Sequence, residues 1–406
     1  MSIKKIATYV IGEGLAKLSP FLVIPYLTRT LSPEGYGELA IIVGYISLSY
    51  IFVNFSQDSA ASRAYFRYGD KSAIKVMSYG VLYSIVMAVL LTIILICVGE
   101  FQYALIPFVA FLQVIITNAL VIKQCKEKSL SYMLIQVSMS LMSTVLIIIL
   151  IEIFDFSSES RLYSYLYTYL FLAMVILAFD KDIIYQFKNG IKRDKIYFNY
   201  MVAFGLPLIV HNLAFFAKSQ FDRVYIFSVY GSGDLGVYFS AYQLASILSI
   251  LLMAANRAML PYLFKGFKND EIKISDMKKL SIYIIFMTPI IFFLSSLIPE
   301  ELYVYIFGDG YNDVSKYFPI FLFAFSVHGV YLILSNVLFY NGRSDHIAMA
   351  NLVSGIIYVV SILILNDFGL DYIPFSLLIS NFLLVVMVFK YVSDEEKKNC
   401  ISSSAQ

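Results

Sequence analysis

Lys218, Asp222 and Arg223 lie inside one apolar stretch, GLPLIVHNLAFFAKSQFDRVYIF, with the first two at i,i+4 spacing. That spacing puts both on one face of a helix. Glu13 and Lys17 repeat it near the N-terminus, inside YVIGEGLAKLSPFLVI. Charged groups among such residues serve two chemistries. One is capture of a charged solute where the dielectric is low and Coulombic attraction strong. The other is proton or cation exchange at a carboxylate or imidazole. A charge at mid-bilayer costs about 2.5 to 3.5 kcal/mol on insertion scales, so each needs a partner or a wet cavity. Each pair also has a purely structural reading, as a self-neutralising couple that fixes helix packing.

Other polar groups join them. The run Asn54, Ser56, Gln57, Asp58, Ser59, Ser62, Arg63 closes one apolar stretch, and Asn256 with Arg257 lies near the end of another. Arg29 and Arg223 fall toward the outer ends of their stretches, where snorkelling to lipid headgroups is an alternative role. Arg63 and Arg257 also fit a simple bias of basic residues to the inside. His211 and His328 are isolated, and each is either a titrating group or a hydrogen-bonded packing residue. Motifs for hydrolysis or phosphate cradling (HExxH, GxSxG, Walker A) do not occur, so no catalytic residue and no cofactor is expected. Cys97, Cys125 and Cys400 lack metal-ligand spacing.

The elements that must position these groups follow from composition. Of 406 residues, 60% are apolar and 14% charged, against about a quarter charged in a soluble domain. A soluble enzyme is excluded, and a net charge of +2 offers no nucleic-acid surface. Apolar stretches of about 20 residues, the length that crosses a bilayer, begin near Ile6, Glu38, Val76, Phe101, Ser131, Leu162, Phe198, Leu235, Leu280, Ser315, His346 and Tyr372. The expectation is an all-α integral membrane protein of twelve transmembrane helices in two six-helix bundles around a central cavity. Residues 1–182 form the first bundle, 183–196 a cytoplasmic linker, 197–392 the second bundle and 393–406 a tail.

Lysine and arginine collect in alternate connections: before Ile6, between Arg63 and Lys75, at Lys123–Lys128, between Lys181 and Lys195, between Lys265 and Lys279, at Arg343 and between Lys390 and Lys398. The intervening segments hold Arg29, Arg161, Arg223 and Lys316 and are otherwise acidic. The positive-inside rule then places both termini in the cytoplasm. A weak internal repeat pairs LSPEGYGELA with GSGDLGVYFSA, Ser32 with Ser232 and Glu34 with Asp234. An even number of spans per half makes such a repeat parallel. Pro20, Pro25, Pro207, Pro289 and Pro319 interrupt spans and permit bends.

Several segments carry a resemblance. GLPLIVHNLAFFAKSQFDRVYIFSVYGSGDLGVYFSAYQLA, with Asp222-Arg223 and Gly236-Val237-Tyr238, is similar to spans seven and eight of bacterial polysaccharide-repeat-unit flippases of the Wzx type. So are KLSPFLVIPYLTRTLSPEGYGELA, LPYLFK around Pro261, and FGDGYNDVSKYFPIFLF followed by NVLFYNGRSD. These flippases belong to the multidrug/oligosaccharidyl-lipid/polysaccharide exporter superfamily, and the likeness covers almost the whole chain. It implies a bacterial inner-membrane transporter, not an enzyme, that moves an undecaprenyl-pyrophosphate-linked oligosaccharide outward for O-antigen, lipopolysaccharide or capsule synthesis. Its partners would be that lipid-linked substrate, membrane lipids and other polysaccharide-assembly proteins, with no nucleic acid. It further implies Lys17, Arg29, Lys218, Arg223 and Arg257 as binding groups for the anionic pyrophosphate, and Glu13, Asp58, Asp222 and His211 as ion-coupling groups during alternating access. Fourteen-span lipid II flippases of the superfamily fit less well, for lack of two further spans. The rival readings are a drug/cation antiporter of the same fold, which calls for a carboxylate-dominated cavity, and a polytopic glycosyltransferase or polymerase, which calls for a long outer loop.

Overall fold

The computed structural model describes residues 3–154, 158–180, 183–184, 195–269 and 271–404. Among these residues there is no β-strand. A membrane-spanning backbone can satisfy its hydrogen bonds within a single helix, and this chain does so repeatedly. The helices are α1 (Ile3–Leu22), α2 (Ile24–Asn54), α3 (Gln57–Tyr68), α4 (Asp70–Val98), α5 (Ile106–Cys125), α6 (Ser129–Phe154) and α7 (Ser160–Phe179). They continue with α8 (Lys195–Val229), α9 (Ser232–Lys268), α10 (Ile274–Ser296), α11 (Glu300–Phe307), α12 (Val314–Tyr340), α13 (Ser344–Leu365) and α14 (Phe375–Ser404).

Eleven helical segments among the described residues are long and apolar enough to cross a membrane. The protein is a multi-pass membrane protein. The sequence reading expects twelve; α1 falls outside the eleven because Lys4, Lys5, Glu13 and Lys17 share its 20 residues. The second expected span starts earlier than Glu38. Backbone helicity resumes at Pro33, because Ser32 is the one non-helical residue within α2, at φ 61° and ψ 168°. Proline suits the first turn of a helix, where its missing N–H has no intrahelical role. The interruption expected near Pro25 is present two residues earlier, at Val23, between α1 and α2. Gly231, at φ 93°, makes the sharp turn between α8 and α9 that a side chain would resist.

The chain divides into two compact units: residues 1–27 with 38–216, and residues 28–37 with 217–406. In the first, α5 is central, its inner face supplying Val109, Leu112, Ile116 and Ala119 to a core shared with Ala60, Met77, Leu172 and Ile176. In the second, α12 is central: 72% of its most apolar window is buried, and Val327, Val330, Leu334 and Leu338 pack with Leu384, Val388 and Ala350. By contrast 17% of the α4 window is buried. Its outward row of Leu82, Ile85, Val86, Val89 and Ile93 is the surface a hydrocarbon solvent tolerates.

The short segment 28–37 groups with the second unit for a reason visible in the backbone. A Cβ on Gly37 would collide with the Ser232 carbonyl oxygen, and a Cβ on Gly236 with the Pro33 carbonyl oxygen. Each glycine thus lies against the carbonyl four residues before the other, a reciprocal close crossing of the kind small residues allow. The two stretches matched as an internal repeat in the sequence are therefore packed on each other. Residues 185–194 of the expected linker 183–196 lie outside the described residues, as does the side chain of Glu13.

Candidate functional site

Two polar clusters stand out, one in each unit. The first is on α8, α9 and α13. Lys218 and Asp222 share a helix face, yet they do not pair with each other. The Lys218 ammonium donates to Ser354 Oγ at 2.7 Å, and Ser354 in turn donates to the Ser380 carbonyl. His328 lies within electrostatic reach of Lys218. Asp222, 1% exposed, accepts from Tyr238 Oη at 2.8 Å through Oδ2, while its Oδ1 is buried without a hydrogen-bond donor. The self-neutralising reading of this pair is thereby excluded, because each charge already has separate partners.

Arg223 does not snorkel. It is 6% exposed, donates to Gln220 Oε1 at 2.6 Å, and lies over the rings of Phe239 at 4.4 Å and Tyr242 at 5.0 Å. Aromatic faces stabilise a desolvated guanidinium by about 2 kcal/mol or more. Phenol donors keep a buried carboxylate hydrogen-bonded. The site is an ordered nest in which one anion and two cations are held mainly by neutral groups.

The second cluster surrounds a helix break. Between α2 and α3, Phe55 (φ 49°, ψ 30°) and Ser56 (φ 54°, ψ 27°) both adopt the left-handed conformation, and neither is glycine. Such residues cost about 1 to 2 kcal/mol each, so their surroundings must hold them. Gln57 Nε2 donates to the Asn54 carbonyl at 3.1 Å and to Ser84 Oγ at 2.8 Å. Ser84 Oγ donates back to the Val53 and Gly80 carbonyls, at 2.7 and 2.9 Å. Asn118 Nδ2 reaches Gln57 Oε1 at 3.4 Å, Asn212 Nδ2 reaches Ser56 Oγ at 3.0 Å, and Asn54 Nδ2 reaches Asp58 Oδ1 at 3.0 Å. Side-chain amides here replace the backbone bonds that the break removes.

The remaining expected site residues are more dispersed. Arg29 donates to the Tyr305 carbonyl and lies 5.8 Å from the Tyr305 ring centroid, on the exposed surface of the second unit. Lys17, His211 and Arg257 are exposed. Arg63, also exposed, lies over Phe204 at 4.9 Å. Sequence reading did not single out Ser354, Tyr358, Tyr242, Ser84 or Asn118. For Ser354 and Tyr358 a signal exists, since their i,i+4 spacing puts two polar groups on one face of NLVSGIIYVV. Tyr242 has none, being one of 33 tyrosines. Among the described residues no group of three or more His, Cys, Asp or Glu side chains forms a metal centre.

Comparison with known proteins agrees with this architecture. A family model described as "Polysaccharide biosynthesis protein" matches residues 2–267. Over 400 residues the chain is 31% identical to "Lsg locus putative protein 1" of Haemophilus influenzae, covering 96% of this chain and 97% of the relative. Among solved structures it is similar to "Lipid II flippase MurJ, inward closed conformation", with TM-score 0.74, 14% identity and coverage of 97% of this chain and 88% of that one. It is also similar to an inward-facing "multidrug resistance MATE family transporter of the MOP superfamily", with TM-score 0.66, 16% identity and coverage of 98% and 96%. The chain belongs to the polysaccharide biosynthesis protein family, and its fold is similar to that of these membrane transporters.

Proposed function

We propose that the protein moves an undecaprenyl-pyrophosphate-linked oligosaccharide repeat unit from the inner to the outer leaflet of the bacterial plasma membrane. Its product feeds O-antigen or capsule synthesis. On this reading the chain makes twelve crossings, with α1 and the start of α2 forming the first, and both termini are cytoplasmic. The two halves alternate access to opposite faces, driven by an ion gradient.

The observation that carries the reading is Lys218. It is a partly buried ammonium in a membrane-spanning helix that donates to a neutral hydroxyl, Ser354 Oγ, 2.7 Å away. A pyrophosphate entering a site of low dielectric gains a charge-assisted contact there that is strong relative to the same contact in water. Lys17, Arg29, Arg223 and Arg257 are further candidates along the route. Of these Arg223 is already enclosed by aromatic rings, which suits it to hold the nest in shape as much as to meet substrate. Among Asp58, Asp222, Glu13 and His211, the first two sit in ordered polar clusters and are the better candidates for ion coupling.

The test is complementation of a strain lacking its own copy. Lys17→Ala and Lys218→Ala are each expected to lower surface polysaccharide and to raise lipid-linked repeat units in the inner leaflet, with membrane levels of the protein unchanged. Lys218→Arg should retain part of the activity. Full polymer in both alanine variants would remove the binding assignment. Export of organic cations in place of lipid-linked sugar would instead favour the antiporter.

A further inference from the structure

We propose that a crevice where the end of α5, the start of α6 and the end of α7 meet binds the headgroup of an acidic phospholipid, one with a single net negative charge. The crevice has a volume of about 700 Å3 and is open on one side. Sites that hold small molecules measure about 300 to 1,000 Å3. It lies wholly within the first unit and shares no lining residue with the two polar clusters described above.

The local sequence builds it. α5 closes on the run Lys123-Gln124-Cys125-Lys126-Glu127-Lys128, and α6 begins at once after it. The Lys128 N–H donates to the Lys123 carbonyl at 2.8 Å and the Glu127 N–H to the Gln124 carbonyl at 3.0 Å, with Glu127 left-handed at φ 53°. These are the two bonds of a Schellman turn. The chain reverses so sharply that a lysine from the last turn of α5 and one preceding α6 line the same crevice. From the other side α7 adds Val175 and Phe179, and Asp180 follows its last turn.

Charge and polarity then select the occupant. Lys123 Nζ pairs with Asp180 Oδ2 at 2.6 Å, in side chains 10% and 9% exposed, so these two charges offset each other. Lys126 is outside the lining and pairs with Asp70 at 3.0 Å. Lys128 is exposed, and with it the described lining holds two lysines against one aspartate. Apart from Ser131 the remaining lining is apolar, and its rim is exposed: Leu134 by 55% and Phe179 by 80%. A soluble anion would leave that apolar rim uncovered. A zwitterionic lipid would bring its own cation and cancel the attraction. A phosphodiester with acyl chains and one net negative charge meets both conditions. Its phosphate takes charge-assisted contacts from Lys128 and a hydrogen bond from Ser131, while its chains cover Leu134, Val175 and Phe179. A lipid held there would tie together the ends of three helices of one unit, whatever substrate the protein moves.

The experiment uses the full chain, which contains no tryptophan. Phe179→Trp therefore gives it a single fluorescent reporter at the rim. The protein is reconstituted in phosphatidylcholine vesicles holding increasing fractions of brominated phosphatidylglycerol, or of brominated phosphatidylcholine, whose bromines quench a neighbouring indole. Phosphatidylglycerol is expected to be preferred about fivefold, the effect of one lysine beside an acidic headgroup. Adding Lys128→Ala should bring the two lipids to near equality, whereas Lys128→Arg, and Lys268→Ala in the second unit, should keep the preference. A reference reporter, Phe286→Trp on the outer surface of α10, should be quenched about equally by both lipids. Equal quenching at position 179 overturns the site, as does a preference that Lys128→Ala leaves intact or that position 286 shows as well. Relief of quenching by glycerol phosphate in solution would make the crevice a soluble-anion site and also overturn it. So would displacement by undecaprenyl phosphate at lower concentration than by unlabelled phosphatidylglycerol, which would assign the crevice to a substrate-like lipid.

Discussion

The nest on α8, α9 and α13 and the knot between α2 and α3 solve opposite problems with opposite means. In the nest the helices are continuous and the burden is charge: Asp222 and Arg223 are both buried, and Lys218 is partly so. Their partners are hydroxyls, an amide and aromatic faces. In the knot the burden is backbone. The helix itself is broken, Asp58 is the one formal charge among the bonded groups, and neutral amides make up the lost bonds. The lesson is that a membrane helix keeps its ladder where charges can find side-chain partners. It gives the ladder up where side-chain amides can replace it.

This comparison can be broken experimentally, starting with the largest effect. Asp222→Ala should destabilise the protein by about 3 to 5 kcal/mol, because Arg223 would keep a buried charge without the nearby anion. Arg223→Ala combined with Asp222→Ala should be less harmful than the two single costs together, since the pair would go at once. Thermal unfolding of the four proteins checks both statements. If the double variant cost the full sum, the nest would be separate contacts, not a unit.

Gly236→Ala comes next. The added methyl meets a backbone carbonyl that no rotamer change can move, so a cost of about 1 to 3 kcal/mol is expected, matched by Gly37→Ala. Similar losses in both variants would support the reciprocal crossing, and indifference at either would sink it. Gln57→Leu should cost about 1 to 3 kcal/mol, because the Asn54 carbonyl and Asn118 amide would lose their shared partner. The same measurement on Tyr238→Phe tells whether the knot or the nest depends more on a single neutral donor. Smallest is Lys278→Ala. Its 2.7 Å pair with Glu396 is partly solvated, and exposed ion pairs contribute about 1 kcal/mol or less.

Much of the fold was legible because lipid imposes a simple rule on sequence. Long apolar stretches and their spacing follow from hydration cost alone. The positions of Glu13, Lys17, Lys218, Asp222 and Arg223 were conspicuous for the same reason, as charges where apolar residues dominate. Less legible were the boundaries. Ser32 carries a backbone conformation that its residue type does not announce, so the second span was placed at Glu38 rather than Pro33. The break at Phe55 and Ser56 has no glycine or proline to mark it, and only the polar run around it hinted at something unusual.

What the sequence determined by itself was therefore a membrane protein of repeated helices, which residues were out of place in oil, and by resemblance its family. What tertiary structure decided was the partner of each such residue. Lys218 and Asp222 look like a pair along one helix, and are not, because Ser354 on α13 and Tyr238 on α9 reach them from the side. Contacts between residues far apart in the chain depend on which helix faces which. That is set by the summed packing of every span, and no local spacing encodes it.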